Sequence, residues 1–579
     1  MNKYRTEREY LGLTLLKDGD YGSIREMLER INRLIPGNQV LAELDQEKKI
    51  KYYTAHDVYE EVMCLGDGLI DAGLKGGHIA IISENCCRYV LADITVSCGV
   101  GVVTPIDCNA PLPLMSTLLQ KCEATAVFCG AGYLDIVREA QKNCPLIKTV
   151  ITMDRKTTGD LHYDDLVERG RALASKSVYR TIDLDLDAPA KILFTSGTTG
   201  ANKGVVLTNR NLAANMVNCL DVIQVEENEE NTSMSVLPMH HATEINTHIM
   251  ARIGAGRLTY INDNMRNMMA NIKIFQPTVI TVVPMIANAF YKNIWAAAKK
   301  AGKDEKLRKG IKLCNLLRKF GVDKTHDLFK DVYAPFGGKL KLIVCGGSML
   351  NPVVIKGMND LGIRIHNGYG ITECGPLISM NADTLDEHLS VGRACPQLEV
   401  RLEGVNEEGV GELCVKGASV AKGYYNDPEA TAAVFGADGF FNTGDSARID
   451  AKGRIFLVGR KKNTIVLQNG KNICPEEVEN VLETVLDYAK DIVVYQAELR
   501  TGNAVRETLC AGIFIEDEAQ RKDREKIAAD IRRANMQLPD YKRIEYVELP
   551  AQEYEKTSTR KIRRTQLPAA CSGEGISLI

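Results

Sequence analysis

The segment Phe194–Gly204 reads FTSGTTGANKG. Its glycines, Gly197 and Gly200, let backbone N–H groups converge on an anion, and Ser196, Thr198 and Thr199 supply hydroxyls. Lys203 adds a mobile positive charge. The combination suits a phosphate group; the structural alternative is a plain Gly/Thr turn. The spacing departs from the G-x-x-x-x-G-K-[ST] nucleotide loop, because Gly204 follows the lysine.

Other segments carry complementary chemistry. KLIVCGGSML ends an apolar run in Gly346 and Gly347, where a planar base can approach the backbone or where the chain simply turns. In IHNGYGITECGPL, Tyr369 offers a face for stacking, Thr372 a hydroxyl for a phosphate, and Glu373 a carboxylate for Mg²⁺, whose preferred ligands are oxygens. Asp445 in NTGDS supplies an acceptor pair for ribose hydroxyls, and Arg460 in VGRKK a fixed cation. Any one of them alone is an ordinary surface residue. As a set they point to a bound nucleotide.

The elements that must position these groups show α/β patterning. HIAIISEN, GVVTPID, ATAVFCG, IKTVITM, AKILFTS, TVITVVP and KLKLIVCGG are short β-rich runs, and they alternate with segments of helical period such as TAHDVYEEVMCLGDGLIDAGL and NLAANMVNCLDVI. GYYNDPEATAAVFGADGFFNTGDSARIDAKGRIFLVGR reads as short strands joined by turns. A boundary is expected at the basic turn Gly459–Lys462, dividing the chain into 1–461 and 462–579. Beyond it, a helix after Pro475, the strands DIVVYQAEL, TLCAGIFIE and RIEYVEL, and the helix REKIAADIRRANMQL predict a small α+β domain.

Composition narrows the function classes. Lys and Arg number 72 against 75 Asp and Glu, a formal charge of −3, so no strong overall field attracts nucleic acid or anionic lipid. The N-terminus lacks an uninterrupted apolar stretch of the secretory kind, which predicts a cytoplasmic protein. The longest apolar stretch, Val90–Ile106, contains Asp93 and reads as a buried helix running into a strand rather than a membrane span. Seventeen scattered cysteines without zinc spacing read as reduced core thiols.

In chain order these segments resemble the adenylate-forming superfamily, which includes acyl-CoA synthetases, peptide-synthetase adenylation domains and luciferases. FTSGTTGANKGVVLTNRN looks like its signature loop, LPMHHATE like the motif before the acyl pocket, and NGYGITECGP like its adenine and magnesium motif. GELCVKGASVAKGYYNDPEAT, GFFNTGD and GRIFLVGRKKNTIVLQNGKNICPEEVE complete the pattern through the hinge. The resemblance implies a large N-terminal domain of layered sheets and helices with a small mobile C-terminal lid. It implies that Ser196 to Lys203 hold the departing pyrophosphate, with Thr198 and Thr199 as hydroxyl contacts. Gly346, Gly347, Asn367, Gly368 and Tyr369 would then bind adenine, Thr372 would approach the α-phosphate, Glu373 would hold Mg²⁺, and Asp445 and Arg460 would meet the ribose. His241 would border the acyl site, and the lid would pivot at Lys462.

Lys561, in EKTSTRKIRRTQL, falls where the family's adenylation lysine lies, although Arg560 replaces the usual preceding glycine. A basic surface tail is the structural alternative for this segment; Lys556, Arg563 and Arg564 carry no assigned chemistry. The implied reaction is attack of a carboxylate on the α-phosphorus of ATP, with fixed cations and dipoles stabilising the charge. A thiol then takes the acyl group from the adenylate. LPMHHATE and QNGKNICPEEVE look like the long-chain fatty acyl-CoA synthetase branch; aryl and bile-acid-like acids stay open, and Glu244 is an alternative partner for an ammonium. A zinc set of His240, His241 and His248 is conceivable by spacing, but neutral pocket histidines are the simpler account. Three functions compete: acyl-CoA formation, loading of a separate acyl carrier protein, and catalytically weak acyl-nucleotide binding. A fatty-acid substrate favours loose association with the inner membrane surface, and homodimers are frequent in such enzymes.

Overall fold

The computed structural model describes residues 4–6, 22–154, 157–196, 202–226, 231–381, 389–466, 472–486, 488–501, 504–556 and 562–578. The chain divides into two compact units. One comprises Met1–Leu350, Val354–Val400 and Val415–Phe441; the other comprises Asn351–Val353, Arg401–Cys414 and Asn442–Ile579.

The first unit contains, among its described residues, an eight-stranded and a nine-stranded sheet. In the eight-stranded sheet, His78–Ile82 lies between the parallel strands Val102–Pro105 and Ala126–Cys129. Ile79 through Ile82 are wholly buried, which explains why that strand is a continuous apolar run rather than an alternating one. The helix Ala55–Asp71 starts at a capping box in which Thr54 and Asp57 exchange hydrogen bonds, and it buries Val58, Val62, Leu65 and Leu69 along one stripe. Val90–Ile106 is a helix, Cys87–Thr95, that relaxes through a π-turn at Val96–Val100 into the strand Val102–Pro105, in line with the sequence expectation. Fourteen of the 17 cysteines are buried free thiols.

The antiparallel hairpin of Pro189–Ser196 and Asn202–Thr208 stands at one side of this sheet, with Asn202 opposite Ser196 and Lys203 opposite Thr195. Lys203 is therefore on the returning strand, not within the loop as its glycine-rich surroundings suggest. The ladder's hydrogen bonds extend the strand to residues whose side chains carry no β signal. Gly423–Tyr424 adds the next strand, and Pro428–Ala432 after it is a single helical turn capped by Asp427, where the sequence suggested only strands and turns.

The nine-stranded sheet carries the parallel strands Val279–Val282, Leu342–Cys345 and Arg364–Gly370 side by side. In the second unit, Asp491–Thr501, Ala504–Phe514, Tyr546–Glu548 and Ile576–Ser577 form a four-stranded sheet. The helices Pro475–Val485 and Arg524–Asn535 pack on it through Val478, Leu482, Ile527 and Ile531.

Candidate active site

The hairpin aims its lysine at an acidic partner through a tyrosine. Lys203 Nζ lies 4.8 Å from the centre of the Tyr424 ring, a cation–π distance. The Tyr424 hydroxyl donates to Glu373 Oε1 at 2.8 Å. Burial, reinforced by the neighbouring Glu373, pushes the Tyr424 hydroxyl well above the usual phenol range, so it remains a donor. Glu373 is itself buried, in the turn Thr372–Cys374, where its carbonyl accepts from Ala421 N. Lys203 and Glu373, distant in sequence, are thus brought together by Tyr424, and Thr372 stands next to Glu373 in the same turn. That tyrosine was missed by side-chain reasoning; its only signal is its place in KGYYNDPEAT. Gly197, Thr198, Thr199 and Gly200 lie outside the described residues, as do Arg560 and Lys561, and Ser196 is described only as the strand's last residue.

The two glycine segments meet because their strands pair in parallel, Cys345 opposite Asn367. Gly347 has φ +92°, a conformation that favours glycine, and Gly346 and Gly347 open onto a cavity beside Gly368 and Tyr369. Asn367 is buried, and its Oδ1 has no hydrogen-bond partner among the described residues. The same cavity is lined also by Ile223, Val279, Val344, Leu377 and Met380, and by Thr247 and His248. Its volume of about 680 Å³ includes space open to solvent.

The wall carrying His248 belongs to a π-helical segment, Thr243–Ile249, just after LPMHHATE. His248 Nδ1 lies 3.0 Å from Glu244 Oε1, both side chains being buried. Glu244 thus has a partner within the chain, which takes up one oxygen of the carboxylate once considered for a substrate ammonium. His240 and His241 are half-buried, with ring centres 4.2 Å apart. Burial, helped by the adjacent His241, lowers His240 to about 3, and burial also lowers His241, so both rings are neutral at physiological pH.

Beneath the hairpin lies a charged pair that explains Asp93. Lys191 Nζ donates to Asp93 Oδ1 at 2.6 Å and to Asn246 Oδ1 at 2.9 Å, with Lys191 and Asp93 fully buried. Burial pushes the Asp93 carboxyl above its ordinary range while the Lys191 ammonium opposes that shift. Asn246 in turn donates to the Gly375 carbonyl, and Asn215 accepts from Leu377 N. One polar network therefore joins the strand entering the hairpin, the cavity wall and the turn after Glu373.

In the second unit, Asp445 and Arg460 are cross-strand neighbours, with Arg460 Nε 2.8 Å from Asp445 Oδ1. Asp445 is buried and Arg460 half-buried. Lys462 sits in the short turn Lys461–Asn463, where burial and then Arg460 lower its ammonium below the usual lysine range. Two residues left without chemistry in the sequence are anchored here. Arg564 Nη2 donates to both Glu479 oxygens at 2.7 Å and Nη1 to the Val494 carbonyl, while Lys556 Nζ lies 2.7 Å from Asp491 Oδ1.

The AMP-binding enzyme family pattern matches residues 36–425. Human long-chain-fatty-acid–CoA ligase 1 is 27% identical over 498 residues, which cover 80% of this chain and 70% of that protein. Among solved structures, an anthranilate CoA ligase in complex with anthranoyl-AMP is similar with a TM-score of 0.74 at 17% identity, covering 95% of this chain and 98% of that one. An o-succinylbenzoate CoA synthetase from Bacillus subtilis, in complex with ATP and magnesium ion, gives 0.70 at 18% identity and covers 93% and 98%. These structural likenesses establish a common fold.

Proposed function

The chain belongs to the AMP-binding enzyme family, and from that premise we propose that it is an ATP-dependent, AMP-forming acyl-CoA synthetase for a medium- or long-chain fatty acid. The observation that carries this reading is the Lys203–Tyr424–Glu373 arrangement, which sets a cation and a carboxylate on one aromatic ring beside a glycine-lined cavity. Support for a fatty acid comes from the apolar lining by Ile223, Val279, Val344, Leu377 and Met380 and from the similarity to the human ligase.

In this reading Gly346, Gly347, Gly368 and Tyr369 receive adenine, and the unpartnered Asn367 Oδ1 accepts a hydrogen bond from the base's amino group. Asp445 and Arg460 hold the ribose. The segment Ser196–Lys203, with Gly197, Thr198, Thr199 and Gly200, grips the leaving pyrophosphate, and Thr372 contacts the α-phosphate. Glu373 suits Mg²⁺, which is commonly held by one or two carboxylates together with substrate phosphates. When bound, the ion neutralises charge on the phosphate oxygens. The substrate carboxylate, already ionised at neutral pH, attacks the α-phosphorus. Lys561 then faces the charge that builds there, and His241 borders the acyl group.

Residues 462–579 act as a lid that pivots at Lys462 between adenylation and thioester formation. Lys556 and Arg564, which flank Lys561 in the chain, are anchored on Asp491 and Glu479. Arg564→Ala is therefore expected to slow adenylation, by up to about 10²-fold if the lysine shifts by an ångström, and to leave thioester formation from supplied acyl-adenylate unchanged. Comparing the two half-reactions checks this; equal losses in both would show general unfolding of the lid instead.

A cytoplasmic location, peripheral association at the inner membrane surface and a homodimeric state are further parts of the proposal. Pyrophosphate release from ATP, Mg²⁺ and a panel of acids tests the activity. No release with any acid would leave only acyl-nucleotide binding. Coenzyme A and a phosphopantetheinylated carrier protein, offered separately as acceptors, then decide between the two thiols, and the expected acceptor is coenzyme A.

A further inference from the structure

We propose that the helix Asp304–Arg318 and the turn after it form a docking surface for an anionic lipid membrane. The inner face of this helix is settled. Leu307 and Ile311 pack against the core, Cys314 is wholly buried, and Gly310 closes on Phe329. The opposite face carries apolar groups of its own at the same helical rhythm. Leu313 is 49% exposed, Leu316 53%, and Phe320, two residues beyond the helix, 76%. An amphipathic surface helix normally places polar residues there.

Cations surround this second apolar stripe. Residues 299–324 contain ten Lys and Arg against three Asp and Glu, a net charge of +7 in a chain whose total is −3. Lys306, Lys309, Lys312 and Lys319 are exposed. On a helical projection Lys309 shares the outward sector of Leu313 and Leu316, with Lys306 and Lys312 on its two borders. None of Lys309, Lys312 and Lys319 forms an ion pair among the described residues, whereas Lys303 and Lys324 are paired with Asp331 and Asp327.

Bulky apolar side chains protruding from a convex helix, ringed by unpaired lysines, suit a surface that accepts both. Acyl chains take the knobs to a depth of about 5–10 Å, and anionic headgroups take the lysines. An acidic protein would satisfy the lysines but needs a complementary groove for Leu316 and Phe320. No helix among the described residues is long and apolar enough to cross a membrane, so the contact proposed is with one leaflet. It gives a place to the peripheral membrane association proposed above, yet it is argued from this helix alone and stands whether or not the acid is fatty.

The test uses the full chain and sedimentation with vesicles of phosphatidylglycerol and phosphatidylcholine in equal amounts, against vesicles of phosphatidylcholine alone. The expected result is binding to the anionic vesicles that weakens with salt, at least about 10-fold tighter than to the zwitterionic ones. The double variant Leu316→Asp/Phe320→Asp should lose this binding. Lys309→Gln/Lys312→Gln should weaken it about 30-fold, roughly fivefold per cation. Both variants should keep the parent's unfolding midpoint and its nucleotide binding, which separates loss of docking from loss of fold. Wild-type affinity in the Leu316→Asp/Phe320→Asp variant would overturn the proposal. So would absence of vesicle binding by the parent, including the case in which these substitutions instead disrupt a dimer or a complex with an acidic carrier protein.

Discussion

Replacing Lys561 by alanine is expected to lower acyl-adenylate formation by about 10²–10³-fold, the usual consequence of removing one charge-stabilising group from a reacting centre. Thioester formation from supplied acyl-adenylate should proceed at the parental rate. The asymmetry follows from where charge develops. In the first half-reaction it builds on the α-phosphoryl oxygens while pyrophosphate leaves. In the second, a thiol attacks a carbonyl and AMP departs, a step for which the proposed lid motion would have carried the lysine away. Pyrophosphate release and thioester formation, assayed separately on one preparation, measure the two steps. A parallel loss of both would remove Lys561 from the reacting centre and restore the reading of its segment as a basic surface tail. Replacing Arg560 by glycine in the same assay reports whether that arginine slows the lid or assists the phosphates; this reading expects adenylation to survive the change, since the lysine remains.

The second large effect concerns stability. Lys191→Met should destabilise the chain by about 3–5 kcal/mol, because it leaves the Asp93 carboxylate buried with no counter-charge. Asp93→Asn alone should also destabilise, since the ammonium would lose its ionic partner. The double variant Asp93→Asn/Lys191→Met removes both charges and should recover most of the loss, since a buried pair replaced by neutral groups is often nearly neutral in energy. Denaturant unfolding of the three variants measures the coupling. Strict additivity of the two single effects would mean that the 2.6 Å contact contributes nothing as a pair. Because Asn246 also accepts from Lys191 and lies within the segment Thr243–Ile249 that lines the cavity, the single variants should additionally weaken acid binding in the fraction that remains folded.

Much of this protein was legible from sequence because its signals are local. Apolar runs such as HIAIISEN and the helical period of Ala55–Asp71 are dictated by backbone geometry and burial, so strands and helices emerge close to where the pattern puts them. The ordered motifs around Phe194, Gly346, Glu373 and Asp445 likewise point to nucleotide chemistry by residue type, and the first three fall within residues 36–425, which match the AMP-binding enzyme family.

Contacts over long separations were decided by the tertiary structure alone. Nothing near Asp93 in sequence indicates a lysine 98 positions away, yet an isolated buried charge is so costly that the fold must supply one. Tyr424 gains its meaning only where its strand pairs with Asn202–Thr208 and sets its ring beneath Lys203 and its hydroxyl against Glu373. Arg564 looks like one basic residue among several until Glu479 meets it with both oxygens. The sequence by itself determined which residue types are available for the chemistry and which segments are strands or helices, because those follow from local periodicity. The tertiary structure decided which charges pair and which aromatic ring joins two motifs, because burial makes those interactions strong and only chain topology brings their partners together.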